Sequence, residues 1–263
     1  MPRILSVLAS LVLCVALTAA TNSAIVPVIQ DGDSPRHEEK VRAASQETYD
    51  LLLIGDSITE NLETTPFRPV WDHYFAPRHT LNLGYGGART ENILWNLAHG
   101  ELDGQSPRVA ILLIGTNNSD DANYPVVHSA EQTAAGTAAI IDLLRTRSPR
   151  TKILLLAIFP RERVYRLSDG TELGDHRARS ATNARINELY AQMADGNHVI
   201  FLDINHIFLR PDGTIDSRLM PDLLHPSPAG AEAWAKAMEP TLRSLLADRE
   251  DPLQTEGPSP GGR

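Results

Sequence analysis

The 263 residues carry a formal net charge of -9, and 42% of them are hydrophobic and 22% charged. This length and composition suffice for one well-buried core but not for two full catalytic domains. The acidic balance and the lack of any long basic run in the sequence exclude the basic footprint that a nucleic-acid groove requires, so we expect no nucleic-acid partner.

The N-terminus has the pattern of an export signal. Arg3 precedes an apolar run, Ile4–Leu17, and the small residues Thr18–Ala20 offer a cleavage point. The run is shorter than the ~20 residues of a membrane span, and an uncleaved N-terminal anchor is the alternative. We therefore predict a signal peptide over residues 1–20 and export to the periplasm or the extracellular space. Cys14 is the single cysteine, so a cleaved chain would have neither a disulfide nor a thiol nucleophile.

The rest of the chain divides into three predicted parts. Residues 21–47 are polar and mixed and predict a linker, whereas the glycine- and proline-rich residues 249–263 predict a disordered tail. Across residues 48–248, short apolar runs alternate with longer amphipathic stretches. The runs are Tyr49–Ile54, Thr80–Leu83, Val109–Ile114, Lys152–Ile158 and Val199–Leu202. This alternation predicts an α/β fold with a five-stranded parallel sheet covered by helices on both faces. Ligands bind at the carboxyl ends of such strands, so residues just after each run are the functional candidates.

A serine follows the first apolar run in the block Gly55-Asp56-Ser57. Gly55 permits a tight turn, and the next residues are predicted to begin a helix whose N-terminal amides can face an anion. Ser57 is therefore a candidate nucleophile. The alternative is a serine or aspartate that only caps the helix.

The second and third runs are followed by candidate hydrogen-bond donors. Residues 82–89 contain three glycines within four positions, so the backbone can approach a ligand and the Gly87 amide could donate to an oxyanion. A dinucleotide- or phosphate-binding loop is the alternative, but Arg89 stands where the dinucleotide pattern needs glycine or alanine. Asn117 follows the third run and can aim its side-chain amide into the same crevice. Its alternative role is a turn residue that bonds its own backbone.

The last block places Asp222 three residues before His225. In a turn or short helical segment, this spacing puts both side chains on one side, and the carboxylate could then fix the tautomer of the imidazole. The alternative is a surface pair near the start of a helix. Together the blocks supply a nucleophile, a base with its orienting carboxylate and two oxyanion donors, which is the set required for acyl transfer.

The ordered blocks resemble those that define the SGNH (GDSL) hydrolases. They are Gly55-Asp56-Ser57, Gly86-Gly87, Gly115-Thr116-Asn117 and Asp222-x-x-His225. Within this superfamily, residues 82–87, 93–97 and 115–118 look most like the catalytic subunits of platelet-activating factor acetylhydrolase Ib. The resemblance covers residues 50–246 and implies a flavodoxin-like three-layer α/β/α sandwich, the SGNH hydrolase fold.

The resemblance also implies a role for each matched residue. Ser57 would be the nucleophile, His225 the base and Asp222 its partner. The oxyanion hole would consist of the Ser57 and Gly87 amides and the Asn117 side chain. No metal or organic cofactor is implied. The eukaryotic members of the family pair with each other, which leaves a homodimer open.

The reaction implied is hydrolysis of a carboxylic ester with a short acyl group such as acetyl. The segment Pro160–Arg179 is highly charged and follows the fourth run, so we expect it over the mouth of the active site. Export and this charged mouth favour an acetylated extracellular carbohydrate as the substrate. Hydrolysis of an acetyl-phospholipid or lysophospholipid is the alternative within the enzyme class. A non-catalytic carbohydrate-binding protein on the same fold is the alternative outside that class.

Overall fold

A computed structural model describes residues 22–32 and 34–246 of the chain. The predicted signal peptide, residues 1–20, and the predicted tail, residues 249–263, lie outside the described residues. Among the described residues, no helix is both long enough and apolar enough to span a bilayer.

Strands and helices alternate along the described chain, as the apolar runs predict. The strands are β1 (Leu51–Gly55), β2 (Thr80–Gly84), β3 (Val109–Leu113), β4 (Lys152–Leu156), β5 (Tyr165–Arg166), β6 (Glu172–Leu173) and β7 (Val199–Leu202). The helices are α1 (Ser34–Gln46), α2 (Ser57–Glu60), α3 (Arg68–Val70), α4 (Thr90–Asn96), α5 (Ala130–Arg147), α6 (His176–Ala191) and α7 (Pro228–Leu246).

Five of the strands form one parallel sheet in the order β2-β1-β3-β4-β7. This order reverses between β1 and β3, which is the flavodoxin-like arrangement whose switch point forms a crevice at the carboxyl ends of the strands. The prediction of a five-stranded parallel sheet is confirmed. The short strands β5 and β6 pair separately as an antiparallel hairpin.

Both faces of the sheet are covered, so the central strands are buried throughout. All residues of β1, β2 and β3 are buried. Because successive side chains of a strand point to opposite faces, Leu52 and Ile54 pack under α1, α4, α5 and α6. Leu51 and Leu53 pack instead against α2, α3 and α7. The predicted three-layer α/β/α sandwich is confirmed.

The segment predicted as a linker contains helix α1, which packs on the domain. Its contacts are largely polar: Arg36 donates to the Gly84 carbonyl at 2.7 Å, and Lys40 pairs with Glu63 at 3.0 Å. His37 lies 3.2 Å from the Glu101 carboxylate. Because ion pairs rather than an apolar stripe hold this helix, its sequence has the polarity of a linker.

Candidate active site

Ser57 lies at the first position of helix α2, directly beyond the carboxyl end of β1. The Asp56 carboxylate accepts a hydrogen bond from the Ile58 amide at 3.0 Å and so caps this helix. Burial raises the pKa of Asp56 to about 6. A Cβ atom on Gly55 would come within 2.4 Å of the Leu113 carbonyl oxygen, so the turn that displays Ser57 requires glycine. The Ser57 amide lies in the first turn, where an N–H has no acceptor within the helix.

The turn from Asp222 to His225 directs both side chains to the same point. The Asp222 Oδ1 atom accepts the backbone N–H groups of Leu224 at 3.0 Å and His225 at 2.7 Å. Leu223, the residue after Asp222, adopts φ +59°, a left-handed conformation that is rare for a bulky side chain. The predicted proximity therefore arises from a strained turn and not from a helical segment.

The structure brings together the three residues of the predicted triad. Ser57 Oγ lies 2.9 Å from His225 Nε2, and His225 Nδ1 lies 2.8 Å from Asp222 Oδ2. Ser57, at the start of helix α2, and His225, in the turn before helix α7, are 168 positions apart in the chain. Burial raises the pKa of Asp222, but the hydrogen bonds from the ring and backbone of His225 outweigh it and hold this pKa well below its usual range. Asp222 is therefore ionised and can stabilise a protonated imidazole.

The two other predicted donors meet at the turn after β2, which we call the oxyanion turn (Tyr85–Ala88). Gly87 adopts φ +75°, which favours glycine and turns its peptide groups relative to the strand. Asn117 is buried, and its Nδ2 atom donates to the Ala88 carbonyl at 3.0 Å. An amide nitrogen carries two hydrogens, so this bond fixes the side chain and leaves a second N–H.

The carbonyls of the oxyanion turn are held by residues distant in sequence. The Tyr124 hydroxyl donates to the Gly87 carbonyl at 2.5 Å, and Gln30 Nε2 donates to the Gly86 carbonyl at 2.7 Å. Burial raises the pKa of Tyr124 to about 12, so the hydroxyl remains a donor. Holding both carbonyls fixes the peptide planes, which orients the Gly87 N–H before any substrate binds.

A buried polar cluster lies behind this turn. The Asn118 side chain accepts from the Thr90 amide at 3.1 Å and donates to Glu91 at 3.1 Å. Arg89 pairs with the same Glu91 at 3.2 Å, and its guanidinium lies 5.0 Å from the centre of the Tyr124 ring. The Arg89 side chain is thus engaged by Glu91 and packs against the Tyr124 ring.

The charged segment after β4 lies beside the triad. Arg163 donates to Asp222 Oδ2, the oxygen that also faces the His225 ring. The Glu162 amide donates to the Leu223 carbonyl at 2.9 Å. Tyr165, on strand β5, lies with its ring 5.1 Å from the Arg163 guanidinium. This segment therefore contacts the turn that carries His225.

A second arginine connects the same segment to the third block. Arg161 is buried and pairs with Asp120 at 2.6 Å, while its Nη1 atom donates to the Thr116 carbonyl at 2.7 Å. Arg179 pairs with Asp121 on the neighbouring loop. The loop after β3 is therefore joined by one ion pair to the segment after β4 and by another to the first turn of helix α6.

Three contributors to the site were not among the predicted residues. Gln30 and Tyr124 lie outside the four blocks, and Arg163 is one of several charged residues in the segment Pro160–Arg179. No spacing in the sequence relates them to the triad, because each acts through a contact between loops. For Arg163, the charged character of its segment was the available signal.

Comparison with known proteins supplies the family. A model of the GDSL-like lipase/acylhydrolase family matches residues 53–233. The chain is 31% identical over 221 residues to platelet-activating factor acetylhydrolase IB subunit alpha2 of Rattus norvegicus, which covers 84% of this chain and 87% of the relative. It is 32% identical over 213 residues to subunit alpha1 of Homo sapiens, covering 80% and 83% of the two chains.

Solved structures share the fold. A GDSL-like lipase from Bacteroides thetaiotaomicron superposes with a TM-score of 0.60 at 16% identity, covering 80% of this chain and 97% of that chain. An acetyl xylan esterase superposes with a TM-score of 0.55 at 18% identity, covering 74% and 100%. From the match across residues 53–233 and the fold, the chain belongs to the GDSL-like lipase/acylhydrolase family and is a hydrolase of the SGNH type.

Proposed function

We propose that this protein is a serine esterase that removes short acyl groups, acetyl in particular, with Ser57 as the nucleophile. The observation that carries the proposal is the continuous chain of contacts from Ser57 Oγ to His225 Nε2 at 2.9 Å and from His225 Nδ1 to Asp222 Oδ2 at 2.8 Å. These are the distances at which a base can take a proton from a nucleophile and be oriented by a carboxylate.

The reaction follows from this geometry in two halves. Ser57 Oγ attacks the ester carbonyl carbon while His225 Nε2 takes the hydroxyl proton, and the resulting imidazolium faces the ionised Asp222. His225 then returns the proton to the leaving alcohol as the carbon–oxygen bond breaks. Water repeats the cycle on the acyl-enzyme, gives its proton to His225 and releases the acid. General-base assistance of this kind contributes roughly 10²–10⁴-fold.

The negative charge on the tetrahedral intermediate requires donors on the opposite side of the nucleophile. The Ser57 amide in the first turn of α2, the Gly87 amide and the free N–H of Asn117 are the proposed donors. Support comes from the way these groups are fixed: Asn117 is bonded to the Ala88 carbonyl, and the Gly86 carbonyl, which shares a peptide plane with the Gly87 N–H, is held by Gln30. Donors held before the reaction need no reorganisation, which is why removing one typically costs ~2.7–4 kcal/mol of transition-state stabilisation.

An acetyl group is favoured by the names of the relatives. The curated relatives are named acetylhydrolases, and a protein of the same fold is named an acetyl xylan esterase. These two groups of proteins differ in the alcohol that is released, so they support the acyl group and leave the alcohol to experiment. Release of acetate from acetylated xylan and from an acetylated choline lipid would separate the two.

The test of the proposed function is Ser57→Ala assayed on p-nitrophenyl acetate. We expect turnover to fall to the uncatalysed background, with an unchanged circular dichroism spectrum and melting temperature. Labelling by a fluorophosphonate probe should be lost in the same variant. Undiminished turnover or labelling in Ser57→Ala would refute the assignment. An unreactive wild-type protein would instead favour the non-catalytic binding role.

A further inference from the structure

Exposed aliphatic side chains are concentrated in two short segments beside the oxyanion turn. Of the eight exposed large hydrophobic residues in the described part of the chain, six lie in residues 25–29 and 126–127. Each of the six is between 39% and 52% exposed: Ile25, Val26, Val28, Ile29, Val126 and Val127. We call these six residues the apolar patch. Clustered exposure of this kind marks an interaction surface more often than scattered exposure does.

The two segments lie side by side because they are tied at both ends. Ser23 Oγ lies 2.7 Å from His128 Nε2 at one end. At the other end both segments reach Gly87, where a Cβ atom would lie 2.9 Å from the Tyr124 hydroxyl and 3.5 Å from Gln30 Nε2. The residues of the apolar patch fall between these ties. They therefore form one surface whose edge is the oxyanion turn.

The two segments that carry the apolar patch are themselves uncharged, and the exposed Asp31 and Glu131 follow them in the chain. Residues 22–30 and 124–130 contain no Asp, Glu, Lys or Arg, in a chain of which 22% is charged. An anionic polymer or an anionic bilayer would be bound by basic residues, and these segments have none. An uncharged aliphatic surface fits the interface of a zwitterionic lipid, where apolar side chains enter the boundary between headgroups and acyl chains.

The predicted export signal lies a short way ahead of the patch in the sequence. The apolar run Ile4–Leu17, which predicts an export signal, ends five residues before Asn22. Five extended residues span at most about 18 Å. In the alternative in which the run stays as an uncleaved anchor, Asn22, the first described residue, therefore lies within that distance of the end of the run.

From these observations we propose that the apolar patch docks the enzyme on a zwitterionic phospholipid surface and presents a lipid ester to Ser57. Docking itself follows from the patch. Delivery of a lipid ester to the nucleophile rests on the proposed function as well. The oxyanion turn forms the edge of the patch, so an ester carbonyl near the headgroup level would reach the proposed oxyanion donors without leaving the interface.

Flotation with phosphatidylcholine vesicles tests the docking. The wild type, Val126→Ser/Val127→Ser and the control Leu167→Ser are produced from the full 263-residue sequence, so any effect of the apolar run is common to all. Leu167 is 49% exposed and lies on the β5–β6 hairpin, outside the patch. Loss of two valine side chains, each about half exposed in the free protein and buried on docking, should weaken vesicle binding by about tenfold. Leu167→Ser should bind as the wild type does.

The same proteins are assayed on soluble p-nitrophenyl acetate and on an acetylated choline lipid in the vesicles. We expect the patch variant to retain soluble-ester turnover and to lose about tenfold of its activity on the vesicles, in proportion to the lost binding. Equal binding by the wild type and the patch variant, or binding that requires anionic lipid, would overturn the docking. A patch variant that changes from dimer to monomer by light scattering would show a second copy as the occupant and overturn it too. Vesicle binding without soluble-ester turnover would refute the proposed function alone.

Discussion

Replacing Arg163 by methionine is expected to move the acid limb of the pH profile of kcat/KM to higher pH. Arg163 and the His225 ring face the same Asp222 oxygen. The guanidinium is always charged, so it disfavours the imidazolium that forms when His225 accepts a proton. It also takes part of the carboxylate's accepting capacity away from the ring. Removing Arg163 stabilises the imidazolium on both counts, so a higher pH is needed to obtain the free base.

The size of the shift follows from the separation of the two cations. Each donor nitrogen lies a hydrogen-bond distance from the shared oxygen, so two donors on opposite sides of that oxygen are roughly 5 Å apart. Arg163 and Asp222 are each about one-third exposed, so solvent screens the interaction. With the dielectric constant of bulk water, about 80, Coulomb's law gives about 0.8 kcal/mol at this separation, which corresponds to roughly 0.6 pH unit.

The measurement is kcat/KM for p-nitrophenyl acetate between pH 5 and 9. The matched control is Arg166→Met, because Arg166 lies on the same segment but pairs with Glu172 at 2.6 Å, not with the triad. Its acid limb should coincide with that of the wild type. If Arg163 only anchored the segment, Arg163→Met would lower the plateau and leave the limb in place. That result would refute the electrostatic role.

Two further substitutions probe the support of the oxyanion turn and the docking of helix α1. Tyr124→Phe removes the donor to the Gly87 carbonyl and should lower kcat about fivefold with little change in KM, since one hydrogen bond contributes about 1 kcal/mol. Tyr49→Phe, which removes an exposed hydroxyl bonded to Glu47, is the control. The hydrogen bond to Glu101 raises the pKa of His37 although burial opposes it, so its stabilisation is complete below pH 6.5 and disappears as pH rises through the raised value. The melting temperature of His37→Gln should therefore fall furthest below that of the wild type at pH 6 and approach it at pH 9; a pH-independent gap would contradict this reasoning.

The sheet could be predicted from the sequence because strands that are buried on both faces consist almost entirely of apolar residues. Strands β1 and β3 are continuous apolar runs, as strands covered on both faces should be. The position of Ser57 followed from the same rule, since parallel strands collect their carboxyl ends at one edge. Local chemistry was sufficient here: a glycine for a close approach, an aspartate to cap and a serine at the first helical position.

Helix α1 and the segment around Gln30 could not be predicted in this way, since polar contacts attach them to the domain. Lys40 is buried, yet it is satisfied by Glu63, which is 23 positions away. From the sequence alone, a buried and paired lysine cannot be distinguished from an exposed one. Hydropathy patterns indicate where apolar residues are buried, but they do not predict ion pairs between segments that are distant in sequence.

The same limit explains why the residues that would perform the chemistry were predictable and those that hold them were not. A triad needs particular residue types, so Ser57 and His225 stand out by identity and spacing. The two peptides that flank Gly87 need only donors to their carbonyls, and many side chains on many loops could provide them. Here Gln30 donates to the Gly86 carbonyl and Tyr124 to the Gly87 carbonyl, and both come from the two segments that also carry the apolar patch. Because the surface proposed to meet a lipid interface and the groups that fix the oxyanion turn share these segments, docking could alter the turn directly. A rise in kcat on the lipid ester that vanishes in Tyr124→Phe, while vesicle binding is retained, would reveal that coupling.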